Sequence, residues 1–326
     1  AYIELTSSNY QTRIDDVLQW YPNCTELYLF EDGSVTSLAD LLFAGNKVSN
    51  KKVIKVVFME DNFNNVGNMQ TAFRECSKLQ MVENLPKSAN NLIGTFDGCG
   101  SLNQQFDFSN LQLINDGLIS TWKNCSSLTY TPILPTNYTG SLASAFQGTK
   151  ITTAPVLPDG VTSLVSAFRE CKELTTVSNI PSNCVDYNNA FRGCTKLTSV
   201  PETGWKGNML WTFSYTLINQ KIVINSASDL SSTFAYCGSL NITPTLPKEM
   251  KGSMSNCFKS CPNLVTPPQT PEGVTDMNCA YQYCSNLEQA PYIPDSVINI
   301  SYMICGCSKI TEITIPLDSI LFNRVE

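Results

Sequence analysis

The chain has no histidine. That absence removes the commonest general base and the commonest neutral metal ligand together. It argues against an enzyme more strongly than any other count. Positive charge is also scarce: 21 Lys and Arg stand against 28 Asp and Glu, a formal net charge of −7, and no basic run extends beyond Lys51-Lys52. A nucleic-acid footprint needs clustered cations, so nucleic acid is excluded as a partner. No stretch approaches the roughly 18 apolar residues that a membrane-spanning helix needs. The acidic spots Asp15-Asp16, Glu60-Asp61 and Asp107 lack the spacing of a calcium-binding loop, and they read as solvated surface charge. Cys305-Gly306-Cys307 is the one close cysteine pair and makes a poor zinc knuckle. Carboxylates recur at no fixed register, so no convergent acid–base pair is expected. No catalytic residue, metal or cofactor follows from this sequence. The chain opens at Ala1-Tyr2-Ile3, without Met and without a secretory leader, which reads as a processed product or a piece of a longer protein.

What is present is a returning phrase: an aromatic, two residues, a cysteine, two residues, a leucine. It appears in full at Phe73-Cys76-Leu79, Phe96-Cys99-Leu102, Trp122-Cys125-Leu128, Phe168-Cys171-Leu174, Phe191-Cys194-Leu197, Phe234-Cys237-Leu240, Phe258-Cys261-Leu264 and Tyr281-Cys284-Leu287. Degenerate copies start at Phe146, Phe213 and Ile304, and two more open the chain, at Tyr21 and weakly at Phe43. The thirteen starts between 21 and 304 give a mean period of about 23.6 residues, and a fixed period of this size signals a solenoid.

With each coil numbered from its aromatic, position −4 is large and apolar (Met69, Leu92, Leu118, Leu164) and position −1 is small (Ala72, Thr95, Ala167, Ala190). An apolar pair four apart is one face of a helix. Gly98, Gly148 and Gly193 at +2 read as residues that end it. A short extended stretch follows the leucine at +6 and ends at prolines: Pro132, Pro201, Pro244, Pro268 and Pro291 at +10, with a second set at +13. Proline cannot donate to a sheet ladder. The expected fold is therefore an α/β solenoid, a right-handed stack of coils. It would carry short parallel strands of about four residues on one side and helices of about two turns on the other. Helices need about 8–10 Å between axes against about 4.8 Å between strands, so the helix side should fan out. Residues 1–62 form an irregular N-terminal cap, 63–311 the repeats, and 312–326 a C-terminal cap, with a last strand over 310–316.

Ten of the fourteen cysteines stand at +3. One per coil reads as a buried, reduced ladder in which Cys acts as a small hydrophobe. Thr149 and Thr216 replace it without a partner vanishing in step. Scattered disulfides are the alternative, with metal a weaker one. Five Asn-x-Ser/Thr sequons occur at about the number expected by chance.

Ala-Phe-Arg-Glu-Cys-Lys-Glu-Leu (167–174), Ala-Phe-Arg-Gly-Cys-Thr-Lys-Leu (190–197) and Ala-Pro-Tyr-Ile-Pro-Asp-Ser-Val (290–297) resemble BspA-like leucine-rich repeats. The resemblance covers residues 63–315 well and 17–62 loosely. It implies a bacterial surface or secreted protein, often an adhesin that binds host proteins, and it carries over no catalytic motif. Related repeats also occur in parasitic protists and in phage proteins. The expected role is thus a non-enzymatic repeat module that binds a protein or glycan on a host or cell surface. The alternative is a structural or attachment component of a larger assembly, such as a phage tail or surface appendage, with a virion location. The expected contact face is the exposed part of the strand at +7 and +8: Met81, Gln104, Tyr130, Thr175, Thr198, Ile242 and Gln289. Plain solvation of a sheet face is the bland reading of the same residues.

Overall fold

A computed structural model describes residues 1–43, 52–59 and 63–315. The chain divides into two compact units, Ala1–Val161 and Thr162–Glu326.

In the first unit, β1 (Tyr2–Leu5) leads into α1 (Tyr10–Trp20), then β2 (Glu26–Glu31), β3 (Lys55–Phe58) and β4 (Met81–Glu83). The four strands form one parallel sheet in the order β1-β2-β3-β4. Alternation decides which side is buried: Leu27 and Leu29 point into the core and Glu26 outward. Helix α1 buries Ile14 and Leu18, four apart on one face. The short strands β5 (Gly140–Ser141) and β6 (Val161–Ser163) follow, and in the second unit β7 (Glu249–Ser253) pairs in parallel with β8 (Glu272–Asp276).

The repeats carry no helices among the described residues, and the expected helical side is corrected to a stack of turns. In the Phe73 coil the N–H groups alternate. Those of Met69, Thr71, Phe73 and Glu75 donate to the carbonyls of Asn91, Ile93, Thr95 and Asp97 in the next coil, at 2.6–2.9 Å. Those of Ala72, Arg74 and Cys76 donate three residues back, to Met69, Thr71 and Phe73. The second unit repeats this pattern: Tyr187, Asn189, Phe191 and Gly193 donate to Asn208, Leu210, Thr212 and Ser214. An α-helix would use these N–H groups internally. Here half of them tie coil to coil instead.

Ring spacing shows why. Phe168–Phe191, Phe191–Phe213, Phe213–Phe234, Phe234–Phe258 and Phe258–Tyr281 stack with centroids 5.4, 5.9, 5.5, 5.4 and 5.2 Å apart. That leaves no room for helices about 8–10 Å apart. The turn side is spaced like a sheet, so the mismatch expected to fan the coils does not arise within either unit.

The alternation demands a left-handed backbone at −2 and +2 of each coil, for example Ser166 (φ 54°) and Glu170 (φ 60°), or Asn189 (φ 56°) and Gly193 (φ 78°). The glycines at +2 therefore serve a turn and do not end helices. They also make room: a Cβ on Gly193 would lie 2.6 Å from Glu170 Oε1, and one on Gly306 2.6 Å from Tyr283 Cδ1. In both pairs the +2 side chain of one coil leans onto +2 of the next.

The inward positions are those the sequence marks. Leu164, Ala167, Phe168, Cys171 and Leu174, at −4, −1, 0, +3 and +6, are all fully buried. At −5 stands a column of Asn, Asp and Ser, broken only by Gly117 among the coils from Phe73 on. Asn91, Asp186, Asn208 and Asp276 each accept from the N–H two residues on, at 3.2, 3.1, 3.1 and 2.9 Å, as Asx turns do.

Three further expectations change. The phrase at Phe43 is registered one residue early: Leu42 occupies the aromatic place, its carbonyl accepting from Cys76, with Leu38 buried at −4 and Asp40 left-handed at −2. Tyr21 opens no coil. It follows α1 directly and is 63% exposed. The four-residue strand expected after the leucine of every coil gives way beyond β4 to single bridges: Asp107↔Ile133 in the first unit, and Thr176↔Ser199, Trp205↔Ile224 and Val223↔Thr245 in the second. Prolines at +10 remove the donor that would extend them. Residues 310–315 form no strand, and the rest of the expected C-terminal cap, 316–326, lies outside the described residues.

Candidate functional site

The thiol column is the most regular chemical feature of the coils. Cys99, Cys125, Cys194, Cys237, Cys261 and Cys284 donate from Sγ to the carbonyl of the aromatic one coil earlier, at 3.0–3.1 Å. That carbonyl also accepts the N–H of its own coil's +3 residue, as Phe73 does from Cys76. Both of its lone pairs are filled. Where threonine replaces cysteine the bond turns inward: Thr149 and Thr216 Oγ1 donate to Phe146 and Phe213 of their own coil, at 2.9 and 2.8 Å. All fourteen cysteines are free thiols. Cys24, ten-member set included, is partly exposed and donates to Glu26 two residues on, so it stands outside the column.

The strand-face residues fall into two kinds. Met81 on β4, Tyr130 and Ile242 are 41%, 50% and 42% exposed. Thr198 is exposed. It is brought against half-buried Thr175 of the preceding coil, whose carbonyl accepts the N–H groups of Thr198 and Ser199 at 3.1 and 3.2 Å. Gln104 uses its amide internally: Val82 N–H donates to Oε1 at 2.7 Å and Nε2 donates to the Val82 carbonyl at 2.9 Å. Gln220 repeats the device on Val200. In each case the amide replaces a strand pair. Gln289 lines a concave pocket of about 550 Å³ with Glu288, Tyr292, Asp295 and Glu312. Val265, 37% exposed at +7 of the Phe258 coil, belongs to the same column though it is absent from the expected contact face. Its register alone would have found it.

These coils, with aromatic, cysteine and leucine pointing inward at fixed places, match the sequence profile of the BspA type leucine rich repeat region in six copies, over residues 45–174, 94–204 and 211–323. The chain belongs to this BspA-type leucine-rich repeat family. Among solved structures it is similar to a leucine-rich repeat protein from Bacteroides ovatus, at 19% identity and a TM-score of 0.60, over 87% of this chain and 71% of that one. A leucine-rich cell surface protein from Faecalibacterium prausnitzii matches at 18% identity and a TM-score of 0.48, over 88% of this chain and 78% of that one. No curated protein matches the chain.

In this BspA-type chain burial governs the thiols. It pushes Cys76 and Cys284 up to about 12 and Cys237 to about 11, and raises Cys99, Cys194 and Cys261 well above the ordinary value. A thiol held protonated is a poor nucleophile. Among the described residues no group of three or more His, Cys, Asp or Glu could hold a metal ion, and no helix is long and apolar enough to cross a membrane. What the BspA-type coils offer is a surface of side chains at fixed intervals.

Proposed function

We propose that the chain is a non-catalytic binding module that presents the +7/+8 column to a protein partner at a cell surface. One observation carries this reading. Met81, Tyr130 and Ile242 recur at the same coil position with their apolar surface open, on a scaffold whose interior is tied coil to coil by backbone and thiol hydrogen bonds. Exposed aromatic and aliphatic side chains on a rigid frame are the raw material of interface hot spots. Membership of a repeat family that works through extended surfaces supports the same reading.

The test uses Thr175→Lys with Thr198→Lys and, separately, Ile242→Asp, each checked for an unchanged melting temperature. Capture of surface proteins by the folded chain should be lost in these variants and kept in Lys172→Glu, an exposed control at +4. Retention in all three would reject the column as the contact face. Arg169 and Arg192, at +1 of their coils, are unsuitable controls: Arg169 Nε is buried and Arg192 lies over Trp211.

A further inference from the structure

The left-handed positions −2 and +2 carry a second signal, on the turn side of the coils. In the six coils from Phe73 to Phe191 all twelve such positions hold Gly, Ser, Thr, Asn or Glu. The next two coils break the rule, as Tyr283 and Tyr302 do again in the last two. Trp211 (φ 58°) and Tyr215 (φ 61°) flank Phe213, and Tyr236 (φ 62°) follows Phe234. Bulky residues are disfavoured in this backbone region, where Gly or Asn would fold more readily. Strain of this kind points towards function.

The rings are linked through one cation, Arg192, whose charge also acts on Tyr215. Tyr215 and Tyr236 stack at 4.4 Å between centroids with planes 6° apart. Arg192 lies over Trp211, its Cζ 4.4 Å from the ring centroid, and donates from one terminal nitrogen to Asn189 Oδ1 at 3.4 Å. No carboxylate among the described residues is within ion-pair distance of Arg192. The nearest acidic neighbour in the column, Glu170, leans on Gly193 and faces Lys172 at 3.8 Å.

We propose that Arg192, Trp211, Tyr215 and Tyr236 bind a carboxylate-bearing sugar, a uronic or sialic acid unit of a glycan chain. The remaining edge of the guanidinium fits a carboxylate. The flat rings offer apolar faces to the C–H face of a pyranose. The adjoining −2 and −3 positions include Asn188, Asn189, Ser231 and Asn256, which suit sugar hydroxyls, beside half-buried Leu210. This mostly polar surround lacks the continuous apolar ring that excludes water from a protein hot spot. The inference stands apart from the +7/+8 column and holds whichever partner that column takes.

The test is retention of the whole chain on immobilised oligosaccharides ending in sialic or uronic acid, beside their neutral counterparts and a poly-glutamate peptide. Acidic sugars should bind at least tenfold more tightly than neutral ones. Arg192→Gln should remove about tenfold, the usual worth of a charge-assisted hydrogen bond. Tyr215→Gly suits the left-handed backbone, so it should weaken binding while leaving the melting temperature unchanged or higher. That combination separates a binding role from a structural one. Absence of acidic-sugar binding, equal binding by Arg192→Gln, or equal retention on poly-glutamate would each overturn the proposal.

Discussion

The first 58 residues and the coils after Phe63 solve the same problem differently. The N-terminal region has strands of four to six residues and an eleven-residue helix. The coils have mostly single bridges and turns, with the short strands β4 to β8 between them. Both stack in parallel and both bury an apolar column. The difference is what lies beside each element. Helix α1 has no second helix next to it among the described residues, so its width costs nothing. A helix in every coil would have a neighbour only about 5 Å away, as the ring stacks show, and two helices do not fit there. Spacing set by the backbone ladder, and not the local propensity of the segment, decides the conformation of the repeat.

The comparison can be broken most forcefully at the aromatic. Phe191 is fully buried between Phe168 and Phe213, so Phe191→Ala should cost about 3–5 kcal/mol. Tyr21, 63% exposed after α1, should cost under about 0.5 kcal/mol. Urea unfolding of the two variants measures both, and equal losses would deny that the coils form a core the Tyr21 segment lacks.

Next in size are the glycines. A Cβ at Gly207 (φ 83°) would sit 2.1 Å from the Val185 carbonyl oxygen, whereas at Gly193 it meets the mobile end of Glu170. Gly207→Ala should lose about 2–3 kcal/mol and Gly193→Ala about 1 kcal/mol, and thermal melts would rank them.

The thiol column adds a pH dependence. The folded value of Cys76 is raised by burial to about 12 from an ordinary 9.0. Below pH 9 folded and unfolded chains both keep the proton and the contribution is whole. Above it the unfolded chain releases protons that the folded chain retains, so stability falls until pH passes the folded value. The loss should be about 1 kcal/mol per ladder thiol per pH unit. The urea midpoint should therefore drop steeply between pH 9 and 11, and a flat profile would contradict burial of the thiols.

The smallest effect sharpens the same column. Cys194→Thr should cost under about 1 kcal/mol, because Thr149 and Thr216 show that a hydroxyl at this place finds its own coil's carbonyl.

The period, the inward positions and the family were legible in the residues, since burial selects the same side chains whatever backbone carries them. The turn conformation was not. An apolar pair at −4 and 0 fits one face of a helix, and it equally fits two successive tight turns. Only the distance between coils separates the two, and no single coil's sequence encodes that distance. The Asn, Asp and Ser column at −5 was visible as a run of turn-closing residues, and it would have argued for turns had it been set beside the glycines at +2. For the candidate surface, register located Met81, Tyr130 and Ile242, but the inward turn of Gln104 depends on an unpaired backbone at Val82 that only the fold reveals.

Far-ultraviolet circular dichroism tests the turn stack most directly. The account assigns α-helix to α1 alone among the described residues, eleven of 326, so the helical minima should be nearly absent. Helices of two turns in each coil would need roughly seven residues per repeat, about a quarter of the chain, and a spectrum with that helical content would contradict it.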